Sequence, residues 1–402
     1  MILRNILITV LYCACFSFVS RAQQVIDAPF GKGIINVIAK DSSWSMKFAT
    51  RIQLLSTSTI EVNETVPPTV DQNFLVRRAR LKFNGFAFSP TLSYKIELGL
   101  SNNDIAGGSL FTGNTPRYIF DAVVMWNFSS TWELWLGQAK LPGNIERVVS
   151  SGNLQFVDRS ILNARFNIDR DLGLQLRHQD LIGKHIIVRE KIALSQGEGR
   201  NVTAGNKGGL QYTGRLEILP FGTFMNNGDY SSSDLNREPN PKLMVAATYD
   251  HNNNAVRDRS NLGNPLLLLD GSLFETNINT FFADVIFKYQ GFSLQGEFAR
   301  RDATSAIAIE EDATPTGDIV NVGNSLNVQA GYLLDSNWEF SGRYTTVNLD
   351  AIAGGTRTNQ YTTGVSKYLS GHKFKVQSDL SYTIVNNQED NWMLRLQMDV
   401  HF

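Results

Sequence analysis

Trp392-Met393-Leu394-Arg395-Leu396-Gln397-Met398-Asp399-Val400-His401-Phe402 puts an apolar side chain at every even position and a polar or charged one at 395, 397, 399 and 401. Neighbouring side chains of a strand point to opposite faces, so the run makes a strand with one apolar and one hydrated face. A strand of a soluble sandwich shows the same alternation. Ending it on an exposed aromatic at the last residue is a habit of membrane barrels, and the expectation is a lipid-facing stave.

The same period of two recurs along the chain. The first clear strand puts Trp44, Met46, Phe48, Ile52 and Leu54 on one face and Lys47, Arg51 and Gln53 on the other. Further strands are expected over 75–88, 92–100, 118–128, 132–140, 171–179, 185–195 and 210–219. The second half adds 243–251, 278–289, 292–301, 326–333, 338–347, 360–369, 374–382 and the terminal run, sixteen in all. An even number returns both ends of a barrel to one side. Residues 33–40 fit either an extra strand or a periplasmic tail segment.

Bacterial barrels alternate short periplasmic turns with long external loops. Short joins at Ser89-Pro90, Ser129-Ser130, Gly183, Gln290-Gly291, Asp335-Ser336 and Ser370-Gly371 alternate with long ones such as 101–117, 141–170 and 252–277. Pro220 to Pro241 breaks the rule, being about twenty polar residues where a short turn is due. Trp44, Trp126, Phe128, Trp132, Trp338, Tyr382 and Trp392 fall at or near strand ends, where interfacial aromatic girdles lie, although large aromatics favour strands in any case.

Composition sets further bounds. With 402 residues, 42% of them apolar, the chain suits two or three soluble domains or one large barrel. Arg4 and Asn5 precede an apolar run from Ile6 to Val19 that ends in Ser20-Arg21-Ala22, the pattern of a cleaved secretory signal over residues 1–22. A single barrel domain is expected over 23–402, with 23–43 as a periplasmic segment or extra strand. Both cysteines, Cys13 and Cys15, lie in the signal, so the mature chain forms no disulfide. No later apolar run approaches the ~20 residues of a membrane helix. The mature chain carries 35 basic and 38 acidic residues, a net of −3, which gives no reason to expect nucleic acid as a partner.

HExxH, GxSxG and GxxxxGK[ST] are absent, and the five histidines share no ligand-type spacing. Ser370-Gly-His-Lys373 has the bare SxxK spacing but sits in a predicted tight turn, and Gly197-Glu-Gly199 has no helix after it. The sequence therefore offers no enzyme, metal site or cofactor.

Residues 75–84, Leu-Val-Arg-Arg-Ala-Arg-Leu-Lys-Phe-Asn, are more informative. With Leu75, Ala79, Leu81 and Phe83 toward lipid, Arg78, Arg80 and Lys82 form a cation ladder on the lumen face, about 6.6–7 Å per two-residue step. Arg77 is then expected on the lipid face, snorkelling from a strand end. Lumen positions are polar in any barrel, so the charges were compared by sign. The first eight strands place ten cations inward, among them Lys47, Arg51 and Lys95, against four acids; the last eight place six against six. A narrow aqueous passage focuses such a bias into anion preference. The connection 141–170 is expected to fold into the lumen, since ~16 strands enclose a channel wider than a small solute. It supplies Arg147, Arg159 and Arg165, whose planar forks suit phosphate or carboxylate, though Asp158 with Arg159, and Asp169 with Arg170, could equally pair to hold the loop.

Phe74-Leu-Val-Arg-Arg-Ala-Arg-Leu, Leu136-Gly-Gln-Ala-Lys-Leu-Pro-Gly, Phe156-Val-Asp-Arg-Ser, Gln196-Gly-Glu-Gly-Arg and Val328-Gln-Ala-Gly-Tyr with Gly342-Arg-Tyr give the sequence, in their order and spacing, a resemblance to the phosphate-selective porin O and P family. The resemblance implies a homotrimeric, sixteen-stranded pore in the outer-membrane lipid that passes small anions such as phosphate. It carries the Arg-Arg-x-Arg strand onto Arg77, Arg78 and Arg80. A general, unselective porin is the alternative within this class. An outer-membrane hydrolase would need a nucleophile and base that the sequence does not show, and a secreted soluble β-protein would need blade repeats or strands buried on both faces.

Overall fold

A computed structural model describes residues 30–62, 69–105, 110–113, 117–203, 209–386 and 388–402. The expected signal segment, with Cys13 and Cys15, lies outside the described residues. Sixteen long antiparallel strands form one closed sheet: β1 Ser45–Val62, β2 Val70–Ala87, β3 Ser89–Gly99, β4 Ile119–Asn127, β5 Trp132–Lys140, β6 Arg170–Ile182, β7 Ile186–Ser195, β8 Gln211–Leu219, β9 Lys242–Ala255, β10 Thr276–Tyr289, β11 Phe292–Ala303, β12 Gly323–Leu333, β13 Trp338–Leu349, β14 Arg357–Ser370, β15 Phe374–Val385 and β16 Asp390–His401. Every strand pairs with its sequence neighbours, and β1 closes the ring by pairing with β16 from Arg51↔His401 to Val62↔Asp390. Closure satisfies the whole backbone ladder, which is what lets strands cross a hydrocarbon layer.

The strand Ile35–Ile38 pairs with Ser45–Phe48 of β1. It takes the place along β1 that β16, ending at His401, leaves unpaired, so residues 33–40 contribute a strand. The Phe30 ring packs edge-on against Phe374 and Phe402 at this end.

Along β16 Trp392, Leu394, Leu396 and Met398 are exposed, Val400 is half-buried, and Arg395, Gln397, Asp399 and His401 are buried inside the barrel, as the alternation requires. Trp44, Trp126, Phe128, Trp132, Trp338 and Trp392 all lie on the outer surface. One strand departs from the expected phase. Gln53 pairs with Arg78 but Leu54 with Val76, so Arg77 is the extra residue of a β-bulge. Beyond the bulge the faces exchange: Phe74 and Val76 point outward, while Leu75 pairs with the buried Leu55. The expectations that Leu75 and Arg77 face lipid are therefore corrected; Arg77 turns inward and reaches Asp158 at 3.1 Å.

Two connections fill the barrel. Residues 141–169 enter from the long-loop end with the short helices Ile145–Val148 and Ile161–Phe166. Leu141, Leu162, Phe166 and Ile168 pack on Phe282 and Ala299 of the wall, and Ile145, Val149 and Leu154 on Leu219, Met244 and Ile286. Wall side chains hold the loop's backbone: Arg51 donates to the Ser151 carbonyl (3.0 Å), Arg215 to that of Gly143 (3.0 Å), Arg301 to that of Phe166 (2.7 Å) and Lys375 to that of Leu154 (2.8 Å). The wall has glycine where the loop tip presses hardest. A Cβ at Gly331 would come within 2.1 Å of Gln155 Nε2, and one at Gly364 within 3.0 Å of the Phe156 ring.

The irregular connection Pro220 to Pro241 enters from the short-turn end. Asp229 pairs with Arg189, Lys288 Nζ donates to the Gly228 and Ser233 carbonyls, and Ser233 Oγ meets Glu339 and Tyr368. The Ser232 N–H donates to the Asn153 carbonyl at 3.0 Å, so the two inserted segments touch. Together they pack mainly on β8–β15, and the loop also reaches β1 through Arg51 and β2 through Arg77 and Arg78.

Candidate functional site

A cavity of about 610 Å³ lies in the lumen against β2–β8. Sixteen of its lining residues are arginine or lysine and five are aspartate or glutamate, so the charge is strongly one-sided although the chain is nearly neutral. Among the expected site residues it brings together Arg78, Arg80, Lys82, Lys95, Arg147 and Arg159. It does not include Lys47, nearer the short-turn end, or Arg51, which pairs with Asp399 at 2.7 Å and holds Ser151. Arg165 is exposed on the last turn of its helix, outside the lining.

The ladder on β2 is present, with carboxylates beside it. Arg78 reaches Asp158 at 3.2 Å, Arg80 reaches Glu97 at 3.1 Å and Asp104 at 2.8 Å, and Lys82 lies 3.8 Å from Glu97. Lys95 on β3 sits between Glu97 and Asp121. Asp158 pairs with Arg77 and Arg78 rather than its neighbour Arg159, and Asp169 with Arg147 and, at 3.5 Å, Arg170. Burial disfavours the Asp158 anion, but Arg78 and Arg77 outweigh it and hold the carboxyl below the usual carboxylate range.

Six other lining cations have no carboxylate within ion-pair distance among the described residues: Arg117, Lys140, Arg159, Arg177, Arg200 and Arg257. Lys140 and Arg159 donate to loop carbonyls, three from Lys140 and two from Arg159. Arg200 donates to the Asp104 carbonyl. Arg117 Nε, Arg200 Nη1 and Arg257 Nε are shielded and have no partner among the described residues. Aromatic faces position several of these groups: Arg200, Arg80 and Arg170 lie 3.9, 4.2 and 4.8 Å from the Phe120 centroid, and Arg257 lies 4.0 Å from that of Phe111. Ring stacking leaves the guanidinium edge free for hydrogen bonding; Arg80 and Arg170 spend theirs on Asp104, Glu97 and Asp121, whereas Arg200 and Arg257 pair with no carboxylate among the described residues.

The expected ladder thus supplies the wall, while most of the unpaired charge comes from loop arginines and from Arg177. Arg117, Arg200 and Arg257 lie on connections with no period to mark them. Arg177 carried a weak signal, being an inward position on β6.

The model of the phosphate-selective porin O and P family matches residues 68–398. The chain belongs to this family. No individual curated protein matches it. Among solved structures, an anion-selective porin from Comamonas acidovorans superposes with a TM-score of 0.53 at 12% identity, covering 89% of this chain and all of that one. Pseudomonas putida OprB gives 0.53 at 10% identity over 90% and 95%, and Salmonella typhi OmpF 0.52 at 12% over 91% and 100%. At such identities the likeness is one of fold. As a porin O and P member with a closed barrel, the protein is an outer-membrane channel.

Proposed function

We propose that this channel passes small hydrophilic anions, phosphate among them, by passive diffusion, and disfavours cations. The observation that carries this reading is the set of lining cations with no carboxylate at hand, in a cavity whose ionisable lining is about three-quarters basic. In a passage walled by low-dielectric protein and lipid, such charge concentrates anions and repels cations. Planar guanidinium forks suit phosphate and carboxylate oxygens. Membership of the phosphate-selective porin O and P family and the likeness to the anion-selective Comamonas porin support the same reading. We include in the proposal the homotrimeric state and removal of residues 1–22, which N-terminal sequencing of the membrane form would show as a start at Gln23.

A second reading, a general porin with little selectivity, is favoured by the carboxylates that accompany Arg78, Arg80, Lys82 and Lys95. Arg200→Gln with Arg257→Gln separates the two, because neither substitution strands an ion-paired acid among the described residues. In planar bilayers under a salt gradient the double variant should lose a clear part of the wild-type anion preference at similar conductance. Unchanged selectivity would favour the general porin.

A further inference from the structure

Inorganic phosphate would leave most of this cavity empty. At about 610 Å³ it falls in the range of pockets that enclose drug-sized organic molecules, roughly 300–1,000 Å³. Its periplasmic side, where β5 rises from its short turn, also has a chemical character that a bare oxyanion does not call for. Trp135 points inward from β5, and the Arg177 guanidinium lies 3.5 Å from the centre of its ring system. The two groups are stacked, yet Trp135 Nε1 and Arg177 Nε are both shielded and lack an acceptor among the described residues. Arg177 spends one other N–H on Gln175 Oε1 at 2.7 Å. Lys191, the register partner of Arg177, holds its ammonium 5.1 Å from the Tyr230 ring centre and pairs with Glu217 at 2.6 Å. Tyr230 in turn donates to Glu217 and comes from the segment inserted from the periplasmic end. Glu217 is thereby engaged with Lys191, Arg215 and Tyr230, and Arg177, whose cross-strand partner on β5 is Glu133, has no carboxylate within ion-pair distance among the described residues.

We propose that Trp135, Arg177 and Tyr230 form a subsite for organic anions. The carboxylate or phosphate-ester oxygens of the solute accept from Arg177 Nε and Trp135 Nε1, and its carbon body rests against the indole and phenol rings. Two neighbouring unmet donors are matched by one oxyanion, and the aromatic surface is shielded by carbon, which inorganic phosphate lacks. This inference rests on the anion-channel reading and narrows its substrate class to small organic acids and phosphate monoesters. The alternative is that lumen water alone meets both donors and the aromatic groups only brace the arginine.

The test uses the full-length channel in planar bilayers carrying chloride current, with phenyl phosphate and inorganic phosphate as blockers at about pH 8, where both are mainly dianions. The wild type should be half-blocked by phenyl phosphate at a concentration about tenfold lower than by inorganic phosphate, the effect of one well-placed aromatic contact. Trp135→Leu should bring the two blockers within about twofold without moving the reversal potential. Equal block of the wild type by both, or a preference that survives Trp135→Leu, overturns the subsite. Should the leucine variant fail to insert, Arg177→Lys keeps the charge but loses the stacked fork and the Nε donor, and should weaken the preference severalfold; full retention of the preference there overturns the proposal as well. The reversal potential, read in the same membranes, separates the two ideas: a wild type without anion preference defeats the channel reading, whereas an anion-selective wild type with equal block defeats only the subsite.

Discussion

Asp158 joins the inserted loop to the cation ladder, accepting from Arg77 at 3.1 Å and Arg78 at 3.2 Å. Removing one partner of a buried ion pair costs ~3–5 kcal/mol; with Asp158 still 23% exposed, solvent screening reduces the expected cost of Asp158→Asn to ~1–3 kcal/mol. The same change frees two guanidiniums, so anion preference should rise while thermal stability falls, measurable by reversal potential and melting of the detergent-solubilised protein. The pH dependence has a definite sign. The folded carboxyl titrates below its unfolded value of ~3.9, so its contribution is complete above that value and is lost only as pH falls through the lower folded one. Wild type at pH 4.5 should therefore not behave like Asp158→Asn at neutral pH; matching selectivity would contradict the ion-pair assignment. At this scale alternation identified Arg78, Arg80 and Lys82 as inward. Strict alternation also misplaced Arg77, because a bulge adds a residue without leaving a mark on the apolar pattern.

Loop 141–169, a connecting element, both packs on the wall and lines the cavity. It packs apolar side chains on one wall and presents Arg147 and Arg159 to the cavity on the other side. Replacing residues 144–166 by a short Gly/Ser linker should raise single-channel conductance severalfold and weaken selectivity. The variant should also melt lower, since buried Glu297 and Lys375 lose their partners Asn144 and the Leu154 carbonyl. An unchanged conductance would mean that the loop does not narrow the path. Its length and its arginines marked it for the lumen in the sequence. The wall that receives it was also visible in part: β10 carries Phe281, Val285 and Phe287 on one face and Ile278, Phe282 and Ile286 on the other, more apolar on its inner face than a water-lined stave needs. Loop 220–241 was legible only as an exception to the short-turn rule. Its seat depends on Arg189, Lys288, Glu339 and Tyr368 from four separate strands, a convergence that no local pattern encodes.

At the scale of the molecule, the strand number, the direction of each strand and, outside the bulged stretch before Arg78, the outward faces follow from period-two alternation and the rhythm of short and long joins. Lipid-facing positions are predominantly apolar, which keeps that signal clean. The interior was less legible, because lumen residues answer to inserted loops, and contacts such as Val157 N–H to Asp379 at 3.0 Å join residues more than two hundred positions apart. A closed ladder predicts a heat-modifiable band from outer-membrane extracts, running compact unheated and slower after boiling; a single unheated mobility identical to the boiled one would contradict closure. Lumen arginines without a carboxylate partner should make the open channel anion-selective. The most direct test is the zero-current potential of the wild-type channel in a planar bilayer with a tenfold potassium chloride gradient. The potential should be displaced toward the chloride equilibrium value; a potential at zero or displaced toward that of potassium would contradict anion selectivity.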